Sequence, residues 1–176
     1  MEWVLLIYTL PSAPTRKRAF IWRELKKVGA VYLRDGVCVL PDRPDTRQAL
    51  QAVAARVREF EGQATVVDTA RLDGQTVQGV LVQAGTARQV EYTAVADAGH
   101  EFLAHVRREI RQRNFTEQEL EILKGDLAKL RRWCDQIRGR DYFVADTAEV
   151  QAVLAECQES LAGLLGQKRV PSEVAQ

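Results

Sequence analysis

Basic side chains are concentrated in the first predicted helix. Six of them stand against a single acid, Glu24, so the segment has a local balance of +5. At about 100° per residue, Arg16, Arg23 and Lys27 fall along one line, with Phe20 beside it. Such a line suits a phosphate backbone, because released counterions drive binding and an aromatic ring stacks on bases or sugars. The candidate nucleic-acid-binding residues of this helix are Arg16, Lys17, Phe20, Arg23, Lys26 and Lys27.

A second basic group lies in a later predicted helix, where Arg131 and Arg132 extend the candidate nucleic-acid-binding set. The competing interpretation of both groups is a solvated helix face, which is common on proteins that never contact nucleic acid. The whole chain has 25 basic and 24 acidic residues, so no global field attracts it to DNA or to a membrane surface. Any electrostatic function must therefore come from these local groups.

The cysteines and histidines are poorly spaced for metal or redox chemistry. Three cysteines form an odd set without a Cys-x-x-Cys pair, which indicates reduced thiols. Cys134 and Cys157 fall on apolar helix faces and are expected in the core, which leaves Cys38 as the candidate redox thiol. His100 and His105 stand five residues apart, do not share a helix face and have no cysteine at ligand spacing. We therefore predict no bound metal.

The sequence lacks the motifs of common enzymes. It contains no nucleophile elbow, no glycine-rich phosphate loop and no His-Glu-x-x-His, so we predict a protein without enzymatic activity and without a cofactor. The amino-terminal apolar run is too short to cross a bilayer, and no basic leader or cleavage pattern accompanies it. We therefore expect a cytoplasmic protein that makes no membrane contact.

The elements that must position these residues begin with an α+β segment. Residues 3–10 form a continuous apolar run that predicts a strand buried on both faces. In the helix of residues 15–28, the spacing places Ile21, Trp22, Leu25 and Val28 on the buried arc, and Gly29 ends it. Asp35-Gly36 predicts a hairpin with a type I′ turn. The order strand, helix, strand, strand, helix, strand predicts a ferredoxin-like βαββαβ domain over residues 1–72.

Long amphipathic helices follow this domain. Residues 73–85 are a connector whose apolar residues suit a helix as well as a strand, with the helix favoured. The pair Thr86 and Gln89 predicts a helix start by a capping box. A second capping box, Thr116 with Glu119, is joined by a staple of Phe115 on Leu120. We predict an antiparallel three-helix bundle over 86–166 and a flexible tail over 167–176. The three apolar seams are Val95, Phe102, Val106 and Ile110; Leu120, Leu123, Leu127, Leu130, Cys134 and Ile137; and Val150, Leu154, Cys157, Leu161 and Leu164.

Three segments resemble the N-terminal domain of the ChrB chromate-resistance regulators. They are LLIYTLP at 5–11, the block from IWRELKKVGA to VCVLP at 21–41, and IRGRDYF at 137–143. The resemblance implies a chromate-responsive transcriptional regulator in which this domain contacts DNA or a partner. Members of this family usually continue into a second domain associated with chromate sensing, which implies that a ChrB C-terminal-like partner supplies that part.

Two functions therefore follow from the sequence. The first is a transcriptional regulator or regulatory subunit linked to chromate resistance that binds DNA through the basic helix face, as a homodimer or with a partner domain. The alternative is a protein-interaction module whose helical seams dimerise or dock a partner, without DNA binding.

Overall fold

A computed structural model describes residues 1–112 and 116–168 of the chain. The elements in chain order are β1 (Trp3–Thr9), α1 (Thr15–Lys27), β2 (Val31–Arg34), β3 (Val37–Pro41), α2 (Pro44–Glu59), β4 (Gln63–Ala70), α3 (Gly74–Gln112), α4 (Glu117–Arg138) and α5 (Ala148–Lys168). The chain divides into two compact units. Unit 1 contains residues 1–86 and 140–144, and unit 2 contains the remaining described residues.

Unit 1 is built on a four-stranded antiparallel sheet with strand order β2-β3-β1-β4. The first half of the central strand β1 is buried on both faces, as its apolar run predicts, but Ile7 is 43% exposed and the burial does not continue to the end of the strand. Val4 and Leu6 belong to a core shared with α1 and α2, whereas Trp3 and Leu5 belong to a second core shared with the start of α3. The alternation of side chains along a strand therefore supplies two separate cores. The protein is a mixed α/β protein with one antiparallel sheet.

The hairpin between β2 and β3 forms where Asp35-Gly36 predicts it, but its turn is not type I′. A type I′ turn needs positive φ at both central residues, and only Gly36, with φ of 72°, has it here. The strand pairing shifts by one residue between Tyr32 and Arg34, which is the sign of a β-bulge. Gly36 is also required by space, because a Cβ there would lie 2.4 Å from the Tyr8 carbonyl oxygen.

Helix α1 ends in a Schellman motif, as the predicted stop at Gly29 requires. The Ala30 N–H donates to the Leu25 carbonyl at 3.0 Å, and the Gly29 N–H donates to the Lys26 carbonyl at 3.1 Å. Gly29 has φ of 76°, a left-handed conformation that costs residues with a Cβ about 1–2 kcal/mol. A Cβ at Gly29 would also lie 2.9 Å from the Arg140 carbonyl oxygen.

That oxygen belongs to a short segment, residues 140–144, which joins unit 1 although it follows α4 in the chain. The Tyr142 hydroxyl donates to the Val28 carbonyl at 3.2 Å, and the ring of Phe143 lies 5.8 Å from that of Trp3. These contacts cover the end of α1 and one end of the central strand. Unit 1 is therefore completed by residues that are remote in sequence.

Unit 2 has a core to which α3, α4 and α5 all contribute. Every seam residue predicted for α4 is buried. In α5, Val150, Cys157, Leu161 and Leu164 are buried as predicted, and Leu154 is partly buried. The seam of α3 is wrong at one position: Ile110 is 36% exposed, and Glu109 is buried in its place.

The predicted helix start at Thr86 is wrong, because α3 continues without interruption from Gly74 to Gln112. Its first three turns bury Val80 and Ala84 in unit 1, so packing extends the helix through the local capping signal. The staple of Phe115 on Leu120 lies outside the described residues, as does the predicted tail apart from residues 167 and 168, which end α5. Among the described residues, no helix combines the length and apolar character that a bilayer crossing requires.

Candidate nucleic-acid interface

Helix α1 is held against the sheet by Ile21 and Leu25, both fully buried in the core shared with α2. Trp22 was predicted to share that buried arc, but its side chain is 52% exposed. The helix is rotated so that Phe20 flanks the buried pair instead, and the ring of Phe20 meets that of Phe60 edge-on at 5.6 Å. This packing leaves Phe20 partly buried, so it is a weaker candidate for stacking on a base than the sequence predicts.

Two of the predicted phosphate-binding lysines already have partners. Lys17 forms an ion pair with Glu61 at 3.3 Å, and its ammonium lies 5.7 Å from the ring of Phe60. Lys27 forms an ion pair with Glu24 at 2.6 Å, one turn earlier in α1. Both pairs must be broken or shared before a phosphate can be bound, so these lysines are weaker candidates than the sequence predicts.

Four cations of α1 are exposed and form no ion pair within the part of the chain that the structure describes. They are Arg16, Arg18, Arg23 and Lys26, and together with Trp22 we name them the α1 basic face. The spacing i, i+4, i+8 aligns Arg18, Trp22 and Lys26 along the helix. The Lys26 ammonium lies 5.7 Å from the Trp22 ring centroid. Sequence reasoning missed Arg18 and Trp22 as members of this face, although their spacing was available.

The α1 basic face borders a cleft of about 900 Å³ within unit 1. Arg18 and Trp22 line it from α1, and Arg34 lines it from the β2–β3 hairpin. On its floor the hydroxyls of Tyr8 and Tyr32 are hydrogen-bonded at 2.9 Å. Burial raises the pKa of both tyrosines, so both remain neutral donors at neutral pH. Arginine, tryptophan and hydroxyl groups converging on one cleft suit an anionic, aromatic ligand such as a nucleotide unit.

The second predicted basic group lies in α4, in unit 2. Arg131 and Arg132 are exposed and form no ion pair among the described residues. Their neighbour Arg138 pairs with Asp135 at 3.1 Å. Arg131 and Arg132 are therefore free to meet a phosphate, on a different unit from the α1 basic face.

Cys38 does not have the surroundings of a reactive thiol. It is fully buried in β3, and its Sγ lies 3.9 Å from the Leu6 carbonyl oxygen. Burial raises the pKa of this thiol to about 12, whereas reactive cysteines have a lowered pKa and some exposure. The two other cysteines are also buried, as their seam positions predict.

The structure also brings together a group that sequence reasoning did not find. His105 and Glu109 in α3 meet Glu119 in the first turn of α4, with one ligand atom from each within 4.8 Å of the others. The spacing of cysteines and histidines does not reveal this group, because two of its members are acids and one of them, Glu119, comes from another helix. His100, by contrast, is exposed.

The fold thus defines a two-unit α/β and helical protein whose first helix presents an arginine- and lysine-rich face. Residues 18–170 match the sequence profile of the family described as Protein ChrB, N-terminal. Because this match covers most of the chain and both units, the chain belongs to the ChrB N-terminal family.

A curated relative supports the same assignment. Protein ChrB of Cupriavidus metallidurans is 30% identical over 100 residues, which represent 57% of this chain and 27% of that protein. The matched region therefore spans about a quarter of the relative's length. No solved structure matches the chain.

Proposed function

We propose that this chain is a regulatory protein of chromate resistance that binds DNA through the α1 basic face and has no enzymatic activity. The observation that carries the proposal is the exposure of Arg16, Arg18, Arg23 and Lys26 without acidic partners among the described residues. Such cations bind phosphates at little cost, because no existing ion pair must first be broken. Membership of the ChrB N-terminal family supplies the link to chromate resistance.

Trp22 adds an aromatic ring to the α1 basic face on which a nucleotide base can stack. An exposed tryptophan is uncommon on a surface without a partner, and a ring flanked by cations provides stacking together with charge. Lys26 and Arg18 lie on either side of it along α1, so phosphate and base contacts can be made together. DNA binding of this kind implies a cytoplasmic protein.

The proposal predicts a specific dependence on salt. Each phosphate contact contributes a slope of about −0.9 to a plot of log affinity against log salt. Replacing Arg16, Arg23 and Lys26 with alanine removes three contacts and is expected to flatten the slope by about 2.7. Fluorescence anisotropy of a labelled mixed-sequence duplex, titrated at several salt concentrations, measures this change.

A control triple variant removes the same net charge from elsewhere. Lys124, Lys129 and Arg138 in α4 each pair with an acid one turn away, at 2.6, 2.8 and 3.1 Å. Their replacement with alanine should leave the slope nearly unchanged, because they are not free to neutralise phosphate. Equal flattening in both triple variants, or no binding at low salt, would refute a DNA interface on α1. An Arg131→Ala, Arg132→Ala double variant tests the second group separately.

We further infer that unit 1 is ferredoxin-like and that unit 2 is an antiparallel three-helix bundle. The strand order β2-β3-β1-β4 and the helices on one face of the sheet support the first assignment. The seams of α4 and α5 support the second, since they are used within unit 2: Leu127 and Leu130 are 7% and 9% exposed. A second copy or a ChrB C-terminal-like partner would therefore dock on surfaces other than these seams.

A further inference from the structure

A buried acid interrupts the apolar face of α3 in unit 2. Glu109 is 5% exposed, and Val106 beside it is fully buried in the same core. A carboxylate in such a place is costly unless it is paired or coordinates a metal. Its oxygen Oε1 lies 3.5 Å from His105 Nε2, one turn earlier, and 3.6 Å from Arg108 Nε.

A second carboxylate approaches the same imidazole from α4. Glu119 Oε1 lies 2.9 Å from His105 Nε2. This oxygen is shielded from solvent and has no partner with hydrogen-bond geometry within the described part of the chain. Its position is fixed by the start of α4, where the Glu119 N–H donates to the Thr116 side chain at 3.2 Å. A buried acceptor oxygen is thus directed at a ring nitrogen and another carboxylate.

Two of the three separations are close to those of a metal coordination sphere. Zinc lies about 2.0–2.2 Å from nitrogen and oxygen ligands, so neighbouring ligand atoms are roughly 3.0–3.5 Å apart. The two distances from His105 Nε2 are 2.9 and 3.5 Å, just below that range and at its upper end. All three ligand atoms lie within 4.8 Å of one another, so a shift of the two carboxylate side chains would bring them around one ion.

We propose that His105, Glu109 and Glu119 bind one divalent first-row transition-metal ion and thereby link α3 to α4. Imidazole with carboxylates suits zinc(II), cobalt(II) or manganese(II), whereas copper(I) prefers sulfur ligands. With a neutral imidazole the three ligands carry two negative charges, which a divalent ion neutralises. Three protein ligands also leave at least one coordination position open.

The proposal can be tested on the full chain without knowledge of its DNA target. After treatment with a chelator, the protein is titrated with zinc(II) by calorimetry and with cobalt(II) by visible absorption. We expect one ion per chain and a cobalt spectrum without thiolate charge transfer, because all three cysteines are buried and none belongs to the group. Trp133 lines the same cleft as His105, so its fluorescence should also respond.

The chain offers a matched control, since it has two histidines. His105→Ala should weaken binding at least tenfold, because loss of even an outer-shell partner of a metal site costs about 10–100-fold. His100→Ala removes an exposed imidazole from the same helix and should leave binding unchanged.

Glu119→Gln provides a second variant that keeps the side chain's shape and the helix cap. It should also weaken metal binding, while circular dichroism remains that of the parent chain. Absence of one-to-one binding, or parent-like affinity in both His105→Ala and Glu119→Gln, would show that the group is only an ion pair between helices. The α1 triple variant should bind metal normally, so failure of the DNA proposal would not affect this result.

Discussion

Replacement of Gly29 by alanine tests how α1 is ended and covered. The left-handed backbone at Gly29 costs an alanine about 1–2 kcal/mol. The new Cβ would lie 2.9 Å from the Arg140 carbonyl oxygen, and overpacking of this kind costs about 1–3 kcal/mol. Reduced freedom of the unfolded chain offsets about 0.4–1 kcal/mol. The expected net loss is therefore about 3 kcal/mol from the free energy of unfolding of unit 1.

Urea unfolding followed by circular dichroism measures this loss. With a denaturant slope of about 2 kcal/mol/M, the transition of unit 1 should move down by about 1.5 M. Gly125→Ala is the matched control, because Gly125 lies inside α4 and a Cβ there meets nothing within 4 Å. That substitution should stabilise the protein by about 0.5–1 kcal/mol. The same chemical change is thus expected to have opposite signs at the two positions.

A third variant separates the two causes. Asparagine tolerates the left-handed conformation better than alanine, so Gly29→Asn keeps the contact with Arg140 but lowers the backbone cost. It should be less destabilising than Gly29→Ala. If Gly29→Ala were neutral or stabilising, neither the Schellman motif nor the cover provided by residues 140–144 would contribute to the stability of unit 1.

Two further predictions concern individual side chains. Burial raises the pKa of the Cys38 thiol from 9.0 to about 12. The unfolded chain therefore loses this proton at a lower pH than the folded chain, and the free energy of unfolding should decline as pH rises above about 9. Urea titrations across that pH range should show the parent chain losing stability more steeply than Cys38→Ala. A thiol reagent at neutral pH should leave Cys38 unmodified, and rapid modification would contradict its burial. Thr116→Ala removes the cap that accepts the Glu119 N–H and should cost about 1 kcal/mol by thermal unfolding, whereas an unchanged transition would mean that the cap is replaced by water.

The periodic spacing of apolar residues predicted burial best in elements whose apolar positions follow one regular pattern. The seam of α4 was confirmed at every position, whereas the two-sided burial of β1 was confirmed only for the first half of the strand, because Ile7 is 43% exposed. The start at Thr86 was wrong because a capping signal is local, whereas Val80 and Ala84 stabilise the preceding turns by tertiary packing. Propensity is a weak signal when a neighbouring element supplies a core.

The candidate sites depended more strongly on tertiary structure. The basic residues of α1 could be located from the sequence, but the pairing of Lys17 with Glu61 could not, since Glu61 lies just after α2 and is remote in sequence. Trp22 was assigned to the wrong face because Phe20, and not Trp22, packs beside the buried residues of α1, where its ring contacts that of Phe60. The group of His105, Glu109 and Glu119 combines residues from α3 and α4, which sequence spacing does not bring together. Glu109 is also buried where the apolar pattern of α3 predicts Ile110.

The excursion of residues 140–144 into unit 1 affects how the protein can be divided. The backbone passes from one unit to the other three times: within α3, after Gly139 and before Ala145. A fragment that ends at residue 86 would keep every strand but lose the aromatic cover of Trp3 and the hydroxyl donor to Val28. No single cut yields two intact halves. The family profile, which matches residues 18–170, likewise takes in parts of both units.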